Sequence, residues 1–419
     1  MTKRMRQGAV AAAALLIGTA AACTGPERPD APVPHGPPRP GSAASAAAGG
    51  SAAPSAAGGS AAPSAAGGSA SQRRGFTLVA SGDVLPHDSV IDRASADADG
   101  EGYDFGPMLD SVKPVVSGAD VAICHMETVF GEKDGSYSGY PAFVSPPEIP
   151  AGLRATGYDS CSTASNHSLD DGADGVQRTL DAFDKAGVRH AGTARSAAEA
   201  ARPALLTAGG AKVAQLAYTF GTNDYDLPDG RPWAVGLIDE RKIIADARAA
   251  RKAGADVVVI SLHWGTEWQT DPDEQQLSLG RKLTASRTGG RPDIDLILGT
   301  HAHVPQPYEK VNGTWVIYGM GDQIAGTMTN DDGELDARGN HGSIGRFTFA
   351  PPATPGERWP VRKAEFIPQM WDLGTGRVVN LPAAVRGDSE RDDYREIQSE
   401  ISEAVLSRGA AKDGLTVGR

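Results

Sequence analysis

The chain has 419 residues, with 40 Lys and Arg against 52 Asp and Glu and a formal net charge of −12. That acidity argues against a nucleic-acid binder and against a diffuse electrostatic grip on any polyanion, both of which draw on clustered Lys and Arg. What it leaves open is a local basic or metal-centred pocket.

The first residues carry a positive head, Lys3, Arg4 and Arg6, then an apolar Ala/Leu/Ile run and small residues leading to Cys23. This is the pattern of a secretory signal peptide over residues 1–22, and the run is shorter than the roughly 20 residues of a comfortable membrane span. Without it the chain holds 37 basic and 52 acidic residues, a net charge of −15. A small-residue run ending in Cys resembles the lipobox of bacterial lipoproteins, although Ala20 stands where that pattern usually has Leu. The resemblance implies an extracytoplasmic protein anchored to the cell membrane by a lipid at Cys23; the alternative is a secreted protein in which Cys23 is incidental. Residues 23–75 are rich in Pro, Ala, Gly and Ser, and "GGSAAPSAA" recurs from Gly49 and from Gly58. Such a segment buries too little surface to offset its ordering entropy, so it is predicted to be a disordered tether.

From Phe76 on there is length for one large domain. "FTLVASGD" reads as a strand ending at a Gly-Asp turn, "ADVAICHME" as a buried strand ending in His125 and Glu127, and "YDSCSTASNH" as a strand ending in Asn166 and His167. "DGVQRTLDAFDKAGV" has helical spacing and stops at Gly187. "KVAQLAYTF" is a strand, and residues 239–254 form a helix with Asp239 as N-cap. "ADVVVISLHWG" is a continuous β-branched run, as in a strand covered on both faces. A helix over about 273–287 follows, then "DIDLILGTHAH" and "TWVIYGMGD" repeat the strand-to-loop theme. "GSIGRFTFA" and "VRKAEFIPQ" read as antiparallel additions, 390–408 as a terminal helix, and the last ten residues as a loose tail. Strands alternating with helices predict a largely parallel α/β core. The domain is placed at 76–381, its core at 76–330, with the helix and tail in 382–419.

Three cysteines are present. With Cys23 set aside, Cys124 and Cys161 form a disulfide in an oxidising compartment or remain two buried thiols at neighbouring strand ends; the sequence does not give the Cα separation that decides between the two.

Asp83, Glu127, Asn166, His263, His301 and His303 all stand at the C-terminal ends of apolar strands. In open α/β sheets, sites form outside those ends, so these residues are expected to converge. Imidazole, carboxylate and amide oxygen together suit a divalent ion such as Mn, Fe or Zn. Six such groups exceed what one ion uses if a position stays open for water, so two ions are expected. His190, His341 and His35 are read as structural. Trp264 and Trp268 are packing around the site or a wall for substrate.

In order along the chain, "SGDVLPHD", "DVAICHMET", "ASNHSLDDGADG", "SLHWGTEW", "GTHAHVPQPYE" and "YGMGD" closely resemble the CapA family of poly-γ-glutamate capsule biosynthesis proteins, which is itself similar to the calcineurin-like metallophosphoesterases. The resemblance covers about residues 76–330. It implies a four-layer α/β/β/α sandwich of the calcineurin-like metallophosphoesterase type with a dinuclear metal centre. By position, Asp83 and His303 would bind the first ion, Glu127 would bridge, and Asn166, His263 and His301 would bind the second. His167 matches a histidine acting near the leaving group, with Asp170 orienting it. His87 supplies the remaining ligand of the first ion or contacts substrate. In two places the chain departs from the family pattern: His125 replaces an amide in what is usually Asn-Leu-Glu, and Asp322 stands in what is usually Gly-Asn. His125 is read as orienting the bridging carboxylate, and Asp322 as an added carboxylate near the site.

The function implied is a metal-dependent hydrolase of a phosphoester or polymer linkage in capsule, poly-γ-glutamate or other envelope-polymer biosynthesis. Its partners would be an anionic or polymeric envelope substrate and membrane polymer-synthase components. The alternative is a non-enzymatic accessory lipoprotein that binds polymer or synthase components during export.

Overall fold

The computed structural model describes residues 73–419 except 331, 355 and 388–391. The predicted signal peptide, Cys23, His35 and nearly all of the predicted tether lie outside the described residues. No helix among the described residues is long and apolar enough to cross a membrane.

Among those residues, nine strands form one sheet and six another. In the first sheet Phe76–Val84, Val121–Met126, Ser160–Ser162 and Arg189–Ala191 run parallel to one another. His341–Phe349, Val361–Asp372 and Arg377–Asn380 extend it antiparallel from the Phe76 strand. In the second sheet Ala211–Thr219, Val257–His263, Leu296–Thr300 and Thr314–Ile317 are parallel, edged by the antiparallel strands Ala204–Ala208 and Tyr308–Val311.

Alternation along the strands explains why their sequences read as continuous apolar runs. Leu78, Ala80, Val121 and Ile123 of the first sheet face Val257, Val259, Leu296 and Leu298 of the second in one core. Their neighbours Val79, Ala122 and Cys124 face outward, onto Val90 and Ala94 of helix Asp88–Asp97, Leu153 of Ile149–Thr156 and Phe183 of Gly172–Ala186. On the far side Val258, Ile260 and Ile297 meet Ile243 and Ala247 of Glu240–Lys252 and Leu279 and Leu283 of Glu274–Ala285. The layers are therefore helix, sheet, sheet, helix, as expected. Each fully buried Val, Leu or Ile in these cores contributes roughly 1.5–3 kcal/mol.

Helix ends follow their sequence signals. Lys242 N–H donates to Asp239 Oδ1 at 2.7 Å, and Asp273 and Gln276 form a reciprocal capping box. Cys124 and Cys161 are directly opposed on adjacent strands and form a disulfide, with Cα atoms 4.4 Å apart.

The C-terminus differs from expectation. Helix Asp392–Leu406 lays Ile401 and Val405 into the inter-sheet core, and Leu415–Val417 pairs in parallel with Val361–Asp372. The last ten residues are thus partly a strand, not a loose tail. Three residues are too short to carry an alternation pattern, so only the tertiary pairing defines this strand.

Candidate metal centre

The C-terminal ends of the parallel strands in both sheets meet at one place. Gly82 allows the approach on the first sheet: a Cβ there would sit 1.6 Å from Gly321 O. The Asp83 N–H donates to that same carbonyl at 3.2 Å, and Asp83 and Asp322 become register partners. From the next strand His125 Nδ1 sits 2.7 Å from Ser162 Oγ, which turns its Nε2 to within 3.5 Å of Asp83 Oδ1. Ser165 Oγ donates to the Glu127 carbonyl and accepts from the His167 N–H at 3.1 Å, tying the Asn166–His167 turn to Glu127.

The second sheet contributes imidazoles. His263 Nε2 lies 2.8 Å from Asn166 Oδ1 and 3.5 Å from Glu127 Oε1. His301 and His303 follow strand Leu296–Thr300 with φ of 92° and 58°. Left-handed backbone at two non-glycine residues costs about 1–3 kcal/mol each and persists where surrounding structure enforces it. Here the His301 N–H donates to Asp83 Oδ2 at 3.0 Å, and His303 Nδ1 lies 3.0 Å from Asp322 Oδ1.

Three sets of ligand atoms result, each gathered within 4.8 Å: Asp83, His125, Glu127 and His263; Glu127, His301 and His303; Asp83, His303 and Asp322. All of these residues are buried. Asp83 Oδ1, both Glu127 oxygens, His125 Nε2, His301 Nδ1 and Asp322 Oδ2 have no hydrogen-bond partner. Buried unpaired polar atoms are costly, and six in one place fit divalent ions coordinated there.

The electrostatics agree. Burial, then the neighbouring Asp322, hold the Asp83 carboxyl well above its ordinary range, and burial with Asp83 does the same to Glu127. Burial pushes Asp322 up to about 6. Burial takes His125 down to about 3, and burial plus neighbouring imidazoles hold His263 and His301 well below the usual histidine range. For His303 burial acts downward, but Asp322 and Glu127 outweigh it and raise the group. Carboxylates crowded together beside the imidazoles of His125, His263 and His301, which burial disfavours as cations, are a charge arrangement that a bound cation would relieve.

Asp83, Glu127, His263, His301 and His303 thus come together as the sequence predicts, and Asn166 joins them through His263. His87 enters none of the three sets; its ring meets Phe143 edge-on at 5.0 Å. The structure also brings in His125 and Asp322, which the sequence reading set at the margin. His167 and Asp170 stand beside the centre, with His167 Nδ1 2.7 Å from Asp170 Oδ2. The Phe143 N–H donates to that same oxygen at 2.7 Å, and the Phe143 ring meets His167 at 4.7 Å. Trp264 is packing, fully buried with Nε1–H donating to Tyr318 O at 2.9 Å. Trp268 lies 6.0 Å from the His303 ring. Sequence reasoning passed over Phe220, an exposed ring tilted against His301 with centroids 4.4 Å apart, and no signal in the sequence marked it.

Comparison with known proteins places these features in a group. The family described as "Bacterial capsule synthesis protein PGA_cap" matches residues 77–327, which contain every ligand atom above. The PGA biosynthesis protein CapA of Bacillus subtilis is 28% identical over 220 residues, covering 50% of this chain and 55% of that protein. The capsule biosynthesis protein CapA of Bacillus anthracis is 25% identical over 181 residues, 42% of each. The chain therefore spans about half the length of the curated relatives it matches. Among solved structures, the calcineurin-like phosphoesterase YfkN of Bacillus subtilis aligns over 78% of this chain and 99% of that one, with 12% identity and a TM-score of 0.36.

Proposed function

The chain belongs to the bacterial capsule synthesis protein family PGA_cap, and from that premise we propose that it is a hydrolase using two divalent ions, Mn, Fe or Zn, in envelope-polymer biosynthesis. The bond cleaved is a phosphoester or a linkage of a polymer such as poly-γ-glutamate. The observation that carries this reading is the set of six buried ligand atoms without partners at the ends of strands from both sheets.

In this reading Asp83, Glu127, Asn166, His263, His301 and His303 would hold the ions. When bound, the ions supply Lewis acidity and neutralise charge that develops in the transition state. Asp170 Oδ2 lies 2.7 Å from His167 Nδ1 and accepts from the Phe143 N–H at 2.7 Å, which orients the imidazole and leaves Nε2 as the atom that would exchange a proton with the leaving group. The ligand residues are buried, and the exposed Phe220 ring lies over His301 with centroids 4.4 Å apart. An extracytoplasmic location is supported by the Cys124–Cys161 disulfide, a bond that persists in oxidising compartments, and the lipobox-like run ending in Cys23 is the ground for proposing an anchor there.

The test is hydrolysis of bis(p-nitrophenyl) phosphate and of γ-glutamyl oligomers by the full chain, after chelation and after return of Mn or Zn. Metal-dependent turnover of either substrate is the expected result. Two bound ions without turnover of any ester or amide tested would overturn the hydrolase reading and favour a polymer-binding accessory role.

A further inference from the structure

We propose that Asp322 and His125 are themselves ligands of the ion pair, completing a donor set that the positions matched by family resemblance leave short. The inference rests on the dinuclear reading above and deepens it.

Asp322 is fully buried at the start of strand Asp322–Ile324, opposite Asp83 in parallel register. Its Oδ1 is 3.0 Å from His303 Nδ1, while its Oδ2 has no partner. Its backbone is held from behind, because Gln369 Nε2 donates to the Asp322 carbonyl at 2.9 Å. A buried carboxylate beside a second carboxylate, with one free oxygen in the same donor set, is placed to coordinate the ion that Asp83 and His303 share.

His125 is built the same way from the other side. Ser162 Oγ holds Nδ1 at 2.7 Å, which leaves Nε2 buried, without a partner, 3.5 Å from Asp83 Oδ1 and in one set with Glu127 and His263. An imidazole with one nitrogen on a hydroxyl and the other presented to carboxylates has the orientation that ligating histidines take. The His125 ring also stacks on His263 at 4.8 Å, which fixes the plane in which Nε2 lies.

The experiment is metal titration of the full chain with Mn²⁺ and with Zn²⁺ against a competing chelator, for the unsubstituted protein, Asp322→Asn and His125→Asn. Both replacements keep side-chain size near that of the original, and the melting temperature of the chelated forms checks that each variant folds. Cobalt-loaded protein supplies a second readout: a ligating His125 gives a hyperfine-shifted Nδ1–H resonance. The expected result is that either substitution weakens at least one ion by about 10-fold or more, that the metal-induced rise in melting temperature shrinks, and that His125→Asn removes one shifted resonance. If both variants bind two ions with unchanged affinity and every shifted resonance persists, the assignment is wrong while the dinuclear reading stands. If the unsubstituted protein binds no metal, both fall together.

Discussion

Asp83 and Asp322 face each other in parallel register at adjoining strand ends, both fully buried, and each keeps one carboxylate oxygen free of any hydrogen bond. Two carboxylates brought this close repel, and burial strengthens the repulsion. The backbone nevertheless presses them together, through Gly82 against Gly321. An arrangement that works against itself in the absence of a cation is the strongest physical sign that one belongs there.

The close approach has a direct consequence for stability. In Gly82→Ala the new Cβ would meet Gly321 O at 1.6 Å, a clash with backbone that no rotamer relieves. The variant is expected to lose about 3 kcal/mol or more and to bind metal weakly, since Asp83 is the next residue. Urea unfolding with and without added Mn²⁺ measures both effects. A loss under about 1 kcal/mol would mean that the two strands separate easily.

His167 and Asp170 are expected to matter for turnover and not for metal content. His167→Gln removes the group proposed to hold the proton, and a general acid is worth about 10²–10⁴-fold in rate. Asp170→Asn lets the ring turn and is expected to give a smaller loss of kcat. Elemental analysis of both variants should match the unsubstituted protein. Loss of metal in either would reassign the pair to the coordination shell.

The disulfide closes a loop between residues 37 apart in sequence. On the loop-entropy account this contributes about 4 kcal/mol. Cys124→Ser with Cys161→Ser is expected to lower the unfolding free energy by that order under oxidising conditions, and to make it insensitive to dithiothreitol. Equal stability of reduced and oxidised protein would contradict the assignment.

Acid stability is expected to depend on His341, which belongs to none of the three ligand sets. Burial pushes its pKa down to about 4, opposed by Asp336 and assisted by Arg338, and Glu400 approaches Nδ1 at 3.8 Å. With the folded pKa depressed, its contribution is fully present above about pH 6.5 and is lost as pH falls towards 4. Between pH 7 and pH 5 that amounts to about 2 kcal/mol. His341→Gln is expected to lose less stability than the unsubstituted chain over this interval, measured as urea midpoints at the two pH values. Parallel pH dependences would show that His341 is not held neutral.

The sequence made most of the layered fold legible because its parallel strands are buried on both faces. Val257 to His263 reads as an unbroken apolar run for that reason, and its polar terminus marks the site end. The same logic located Asp83, Glu127, His301 and His303. Asp322 was visible as one more strand-ending carboxylate in "YGMGD", but its pairing with Asp83 comes from a strand crossing 239 residues away, which no local pattern reports. His125 was masked by alternation: adjacent to Met126 in a short strand, it reads equally as a core residue. Leu415–Val417 and the contact of Phe220 with His301 are likewise purely tertiary.

The most direct test of the account is the metal content of the full chain by elemental analysis, beside His301→Ala. About two divalent ions per chain, falling in the variant, is the predicted result. A chain that carries no metal and takes none up, or a variant that keeps the full complement, would contradict it.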